Sequence, residues 1–154
     1  MKRFLILLLS VTLLFSSCKS KEVKSSISLN PDSLNTAFSL NLNDEKYEGI
    51  IKIAQNNSME ITLSKPESIS GISFTVSENS VVTTYEGIVL NHSDLPVKNV
   101  FSEFLQTVEK LKTVTEYTPE NGFYKYSSDS FCAMLDARGN IVNLNLKNGE
   151  FTFT

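Results

Sequence analysis

Tryptophan is absent from this chain of 154 residues, histidine occurs once (His92) and cysteine twice (Cys18 and Cys132). Each shortage excludes a class of chemistry. One histidine and two widely separated cysteines cannot supply the ligand cluster of a transition-metal site. The oxygen-rich stretches "NDEK" (43–46) and "SSDS" (127–130) do not follow calcium-loop spacing. The six glycines stand singly, so no glycine-rich phosphate loop exists. His92 is flanked by Ser93 and Asp94, but a catalytic triad is a spatial arrangement and not a run of neighbours. A solvated loop histidine is the expected reading. No catalytic residue, metal or cofactor is therefore assigned, and the chain is read as non-enzymatic. Four prolines and few glycines also exclude collagen-like and proline-rich linker architectures.

Positive charge is scarce as well. The whole chain carries a formal charge of −3. Without residues 1–17, which contain Lys2 and Arg3, 12 basic and 17 acidic residues remain, a net charge of −5. A nucleic-acid partner wants a basic face that displaces phosphate counterions, and no such cluster is present. Hydrophobic residues make up 41% and charged residues 20%, the balance of a globular chain with room for one domain.

What is present begins at the N-terminus. Met1-Lys2-Arg3 is a short basic region, Phe4–Phe15 is an apolar run of twelve residues, and the small residues Ser16 and Ser17 precede Cys18. This is the layout of an export signal. A membrane-spanning helix needs about 20 apolar residues, so a permanent span is the weaker reading. The stretch "LFSSC" (14–18) resembles the lipobox of bacterial lipoproteins, with Phe15 standing where that family usually has leucine. The resemblance implies a diacylglyceryl group on the Cys18 thiol and cleavage just before it. Residues 1–17 would then be the signal peptide, and the protein would sit lipid-anchored on the extracytoplasmic face of the cell membrane. The plainer alternative is an ordinary cleaved signal in which Cys18 has no role. Two acyl chains anchor stably where one does not, at about 0.8 kcal/mol per buried methylene. Residues 18–26 read as a flexible tether, and eight such residues span roughly 16 Å. Lys19, Lys21 and Lys24 either solvate it or attract anionic head groups. Cys132, in "SFCAML", is then unpaired and expected to be buried as a small hydrophobe.

From residue 27 to 154 the dominant hydrophobic period is two, the period of a strand. "AFSLNLN" puts Phe38, Leu40 and Leu42 on one face. "YEGIIKIAQ" does the same for Tyr47, Ile51 and Ile53, and "MEITLS" for Met59, Ile61 and Leu63. Residues 65–71 read as a loop with room for one helical turn. "ISFTVS" resumes alternation through Ile72, Phe74 and Val76. "VVTTYEGIVLN" reads as one long strand with a bulge or bend at Gly87. "FYKYSS", "SFCAMLD", "IVNLNL" and "EFTFT" complete about nine strands, with "TPENG" (118–122) as a loop. Tyr117, Tyr124 and Tyr126 are expected to pack across strands. Between Val100 and Leu111 the period becomes helical, with apolar residues at 100, 101, 104, 105, 108 and 111. This gives one covering helix near 99–113, capped by Asn99 or Asp94.

The expected architecture is mainly β, an α+β fold in which a curved antiparallel sheet is covered by one helix. The stretches "PESISGISF" (66–74) and Asp136–Gly139, a D-x-x-G turn, together with the order of elements, resemble the LolA/LolB-like lipoprotein-carrier superfamily and small lipoproteins of clostridial type. That resemblance implies a sheet shaped like an incomplete barrel, with a concave apolar face holding lipid or an acyl chain. The implied lining is Phe38, Leu40, Ile51, Ile61, Phe74 and Leu135, with Phe101, Phe104 and Val108 from the helix. One helix covers only part of such a sheet, and exposed apolar surface marks a binding face. The alternative is a lipid-tethered interaction or envelope-assembly module with a filled core and no ligand, its terminal strand "EFTFT" offering an edge to a protein partner. Replacing Cys18 with Ala is expected to release the domain from the membrane fraction or leave unprocessed precursor. Unchanged retention and unchanged precursor size on immunoblots of fractionated cells would refute lipidation.

Overall fold

The computed structural model describes residues 24–30, 34–53, 58–78, 80–90 and 97–154. Cys18, the signal segment, most of the tether, His92 and Asp94 lie outside the described residues, as do parts of the turns read at 55–58 and 78–80. Among the described residues the chain forms one open antiparallel sheet of twelve strands and one α-helix. In chain order the strands are β1 (Ser25–Ser26), β2 (Thr36–Leu42), β3 (Glu45–Ile53), β4 (Met59–Lys65), β5 (Ile72–Ser77), β6 (Ser80–Tyr85) and β7 (Ile88–Val89). After the helix α1 (Val97–Leu111) come β8 (Glu116–Glu120), β9 (Phe123–Ser127), β10 (Phe131–Leu135), β11 (Ile141–Leu146) and β12 (Glu150–Phe153). In space the order is β1-β8-β9-β10-β11-β12-β2-β3-β4-β5-β6-β7.

Three strands exceed the nine expected, and each has a local reason. "VVTTYEGIVLN" is two strands, β6 and β7, because Glu86 and Gly87 both take positive φ (49° and 79°) and close a hairpin in place of the expected bulge. Asn43-Asp44 and Asn121-Gly122 close two-residue hairpins in the same way. Paired positive φ values match the right-handed strand twist. "TPENG" is therefore not a loop: Thr118–Glu120 end β8, and Asn121-Gly122 turns the chain into β9. Among the described residues β1 meets β8 at Tyr117 and Glu116, and none pairs with Pro119 on that side of β8, where a proline is tolerated. The third addition is β1 itself, two serines that carry no apolar pattern and lie within the expected tether. Between β4 and β5 the expected helical turn is a 3₁₀ turn, Glu67–Ile69.

Alternation sets one face of every long strand inward. Phe38, Leu40 and Leu42, then Tyr47 and Ile51, then Met59, Ile61 and Leu63 are all buried. The terminal strand is not an edge. β12 pairs with β11 on one side and β2 on the other, so "EFTFT" lies near the middle of the sheet and presents no free ladder to a partner.

The helix starts two residues earlier than expected and ends two earlier. Asn99 lies inside its first turn and is not the cap. After Leu111 the chain tightens into bonds from Thr113 N–H to Lys110 C=O and from Val114 N–H to Leu111 C=O. Val97, Val100, Phe101, Phe104, Leu105, Val108 and Leu111 form its buried stripe. The helix crosses the sheet diagonally. Near its start, Val100 approaches Gly149, and the Glu103 carboxylate accepts from Lys147 N–H in the β11–β12 turn. Towards its end, Leu105, Glu109 and Lys110 flank Ser77 and Glu78 at the β5–β6 turn, at the opposite strand ends. Fifteen residues make a rod about 22 Å long, enough for one diagonal. Two corners of the inner face remain beyond it. The segment before β2 closes one of them, with Leu29 and Leu34 buried and Asn30 N–H bonded to Gly139 C=O at the β10–β11 turn.

Phe151 sits at the crossing, with ring centroids 5.8 Å from Phe38, 6.2 Å from Phe101 and 4.7 Å from Phe104. Phe151→Ala is expected to cost about 3–5 kcal/mol in urea denaturation. Phe123→Ala, at a side chain 37% exposed, is expected to stay within about 0.5–1 kcal/mol of the parent. Equal losses for the two would refute this account of the core.

Candidate functional site

The nine residues implied as an apolar lining all lie on the inner face and all are 3% exposed or less. They belong to one continuous buried cluster. Phe101 meets Phe74 at 5.2 Å and Phe38 edge-on at 6.0 Å, so helix rings and sheet rings interlock. Offset and edge-to-face aromatic pairs add about 0.5–1.5 kcal/mol beyond their area. Sequence pattern alone left several members out of this set. Phe151 and Leu144 alternate on their strands and were readable there. Leu29 and Leu34 precede β2 in a stretch without strand or helix period, so nothing in the sequence assigned them inward.

Two hydroxyls inside this apolar layer lack a hydrogen-bond partner among the described residues, those of Thr83 and Tyr117. Desolvation, with a smaller contribution from Tyr126, raises the pKa of the Tyr117 phenol above the ordinary tyrosine value. It remains a neutral donor at any physiological pH. Tyr117 packs on Tyr126 at 6.0 Å, and Tyr126 on Phe131 at 5.5 Å, as expected for cross-strand aromatics.

The second built feature is a clamp on the N-terminal segment. At the β10–β11 turn the Asp136 carboxylate accepts from Arg138 N–H (2.8 Å), Asn140 N–H (2.9 Å) and the Asn140 side-chain amide (2.8 Å). The Asn140 side-chain oxygen then accepts from the Asn30 amide at 2.9 Å. Gly139 has φ of +81°, and a Cβ there would lie 2.1 Å from Ser28 C=O. Only glycine lets the turn close on that backbone. The Asp136–Gly139 motif thus has a structural role, holding Ser28 to Asn30 against the sheet. Further along, Lys24 and Glu116 form an exposed ion pair at 2.7 Å where β1 meets β8. Burial opposes the charge on Asp136, but its three hydrogen bonds outweigh that cost and lower its pKa.

The outer face is mainly polar, with Ile50, Val82 and Val89 exposed on it. Cys132 is half-buried there and not in the core, because Phe131, Ala133 and Leu135 take the inward phase of β10. Its Sγ accepts from the Ser127 hydroxyl at 3.5 Å. Glu48 bridges Lys46 and Lys65, both at 2.8 Å, and hydrogen bonds from these two lysines hold its carboxyl down at about 2. At the edge of the core, burial first and the Glu45 carboxylate second push the Tyr47 phenol up to about 12. Among the described residues no group of three or more His, Cys, Asp or Glu is placed to hold a metal ion. No helix among them is long and apolar enough to cross a membrane. Comparison with protein-family models, curated proteins and solved structures finds no match to the chain.

Asp136→Ala is expected to lower stability by about 1–3 kcal/mol near neutral pH, since it leaves two backbone N–H donors of the turn without their acceptor. Because folding lowers this carboxyl's pKa, its contribution is present above the unfolded value and is lost as pH falls through the folded one. The gap between parent and variant should therefore narrow on acidification below the ordinary aspartate value of 3.8. A gap that widens in acid, measured by urea denaturation across this range, would refute the role given to the carboxylate.

Proposed function

We propose that the chain is a lipid-anchored extracytoplasmic protein, tethered through Cys18, whose β domain has a filled interior and works by engaging a protein partner at the cell envelope. No catalytic step is assigned to it. The lipobox-like "LFSSC" supports the anchor. The observation that carries the second half is the packing of Phe38, Leu40, Ile51, Ile61, Phe74, Phe101, Phe104, Val108 and Leu135 against one another, each with 3% of its surface exposed or less. A lipid or acyl chain on that face, the alternative implied by the likeness to the lipoprotein-carrier superfamily, would require α1 to withdraw from β5 and β11, which it now contacts. Separating those surfaces exposes large aromatic side chains at about 25 cal/mol per Å². A bound acyl chain would have to compensate for all of that area.

The clamp on Asn30 and the pairing of Ser25–Ser26 with β8 support a short tether, because the folded domain already holds the chain from Lys24 onward. Such a domain stays close to the membrane surface. The deciding measurement is mass spectrometry of the full-length protein purified from membranes in mild detergent. The expected result is acyl chains covalently on Cys18 and no further lipid. A stoichiometric non-covalent lipid, together with brightening of a hydrophobic fluorescent probe, would overturn the filled-interior reading and restore the carrier-like one.

A further inference from the structure

The diagonal course of α1 leaves one corner of the inner face without a covering element among the described residues. The strand register identifies it. Ile72 opens β5 and stands opposite Tyr85, which closes β6, and Tyr85 stands opposite Ile88, which opens β7. These three side chains share the inner face, yet Tyr85 is 42% and Ile88 66% exposed. Ile69, in the 3₁₀ turn at the same strand ends, packs partly against the core. The Tyr85 ring lies beside Gly71, where an added Cβ would come within 3.3 Å of it. Among the described residues β7 ends the sheet and pairs only with β6, so no described strand occupies its outer ladder.

Two carboxylates flank this corner. Glu67 lies in the 3₁₀ turn and Glu86 at the hairpin tip, both at the strand ends that carry Ile72, Tyr85 and Ile88. Neither is in an ion pair among the described residues. Lys65, the basic residue nearest in sequence, is engaged by Glu48 at 2.8 Å. An apolar surface beside unneutralised carboxylates favours a cationic partner and rejects an anionic one. Anionic lipid head groups are repelled by the same carboxylates, and the tether joins the domain along β1, the opposite edge of the sheet. A second copy in two-fold contact would bring Glu67 and Glu86 against their own equivalents.

We propose that this corner, built from Ile69, Ile72, Tyr85 and Ile88 with Glu67 and Glu86 beside it, is a docking site for an extended protein segment that carries lysine or arginine between aliphatic residues. The segment adds to the β7 edge by main-chain hydrogen bonds, its aliphatic side chains cover Tyr85 and Ile88, and its cations meet the two carboxylates. This names the partner chemistry of the interaction reading above and rests on that reading.

Two measurements test it. In the first, the full-length protein is titrated with a synthetic peptide of four Val-Lys repeats and with its Val-Glu counterpart, by calorimetry and by amide chemical shifts. The Val-Lys peptide is expected to bind at least about tenfold more tightly, the scale of one or two partly screened ion pairs. Raising the salt should weaken it, and shifts should centre on residues 67–72 and 85–89. Ile88→Ser, at a side chain already two-thirds exposed, should weaken binding of the Val-Lys peptide, and the double variant Glu67→Lys with Glu86→Lys should abolish its preference, each while the circular dichroism spectrum is retained. Equal binding of both peptides, shifts centred elsewhere, self-association that Ile88→Ser removes, or flotation with anionic vesicles that Ile88→Ser removes would each overturn the proposal. In the second, a photo-crosslinking residue replaces Ile88 or, as a control on the outer face, Ile50, which is 50% exposed, in membranes of intact cells. A crosslink from position 88 to a lysine- or arginine-bearing aliphatic segment supports the site. Crosslinks from position 50 alone overturn the site and leave the interaction reading standing; none from either position overturns both.

Discussion

The fold depends on one contact, the seating of Phe101 and Phe104 of a single helix among Phe38, Phe74 and Phe151 of the sheet. A twelve-stranded open sheet with one apolar face has no stable existence in water until that face is covered. Here the cover is a rod of fifteen residues laid along the diagonal. Large rings make this sufficient, since each aromatic side chain buries about 150–250 Å². The diagonal lets one rod meet both β5 and β11, strands that lie far apart in the sheet. Without the rings the same helix would leave most of the inner face wet.

The diagonal also creates the two corners that give the domain its remaining features. At one, the chain ahead of β2 folds back and is clamped by the Asp136 turn, by the Asn30–Asn140 contact and by the close approach at Gly139. This makes the segment from Lys24 to Asn30 part of the folded structure, held by backbone pairing, side-chain amides and buried Leu29. At the other, nothing among the described residues covers Tyr85 and Ile88. A covered corner at the β10–β11 turn and an open one beside β7 lie on opposite sides of the diagonal.

Between these corners the outer face carries alternating polar residues, with amide and carboxylate contacts such as Asn143 to Glu150 and Asn145 to Asn143. Exposed ion pairs there, including the Glu48 bridge, are screened and contribute little to stability. They matter more in discouraging association between copies, because charged, hydrogen-bonded surface is costly to desolvate. The scarcity of free cation around β5–β7 stands out against that background.

Period-two alternation made eight of the twelve strands legible in their own right, because a half-buried strand must alternate whatever surrounds it; a ninth, read as one run, proved to be two. Helical spacing from 100 to 111 likewise placed Phe101, Phe104 and Val108 inward before any partner was known. β1 was not legible, since two serines pair with β8 only after a chain separation of about ninety residues has been closed. β8 was hidden by Pro119, which reads as a strand breaker although the residue takes its place in the β8–β9 ladder opposite Tyr124. The central place of β12 was equally hidden: a terminal alternating strand reads the same at an edge as in the middle, and only its pairing with both β2 and β11 decides the matter. The sequence by itself therefore determined the inward phase of the alternating strands and of the helix, but not the inward places of Leu29 and Leu34. The tertiary structure alone decided that those side chains fill one another's space and that one corner is left open, because both depend on the angle at which a helix crosses a sheet, and no local period encodes that angle.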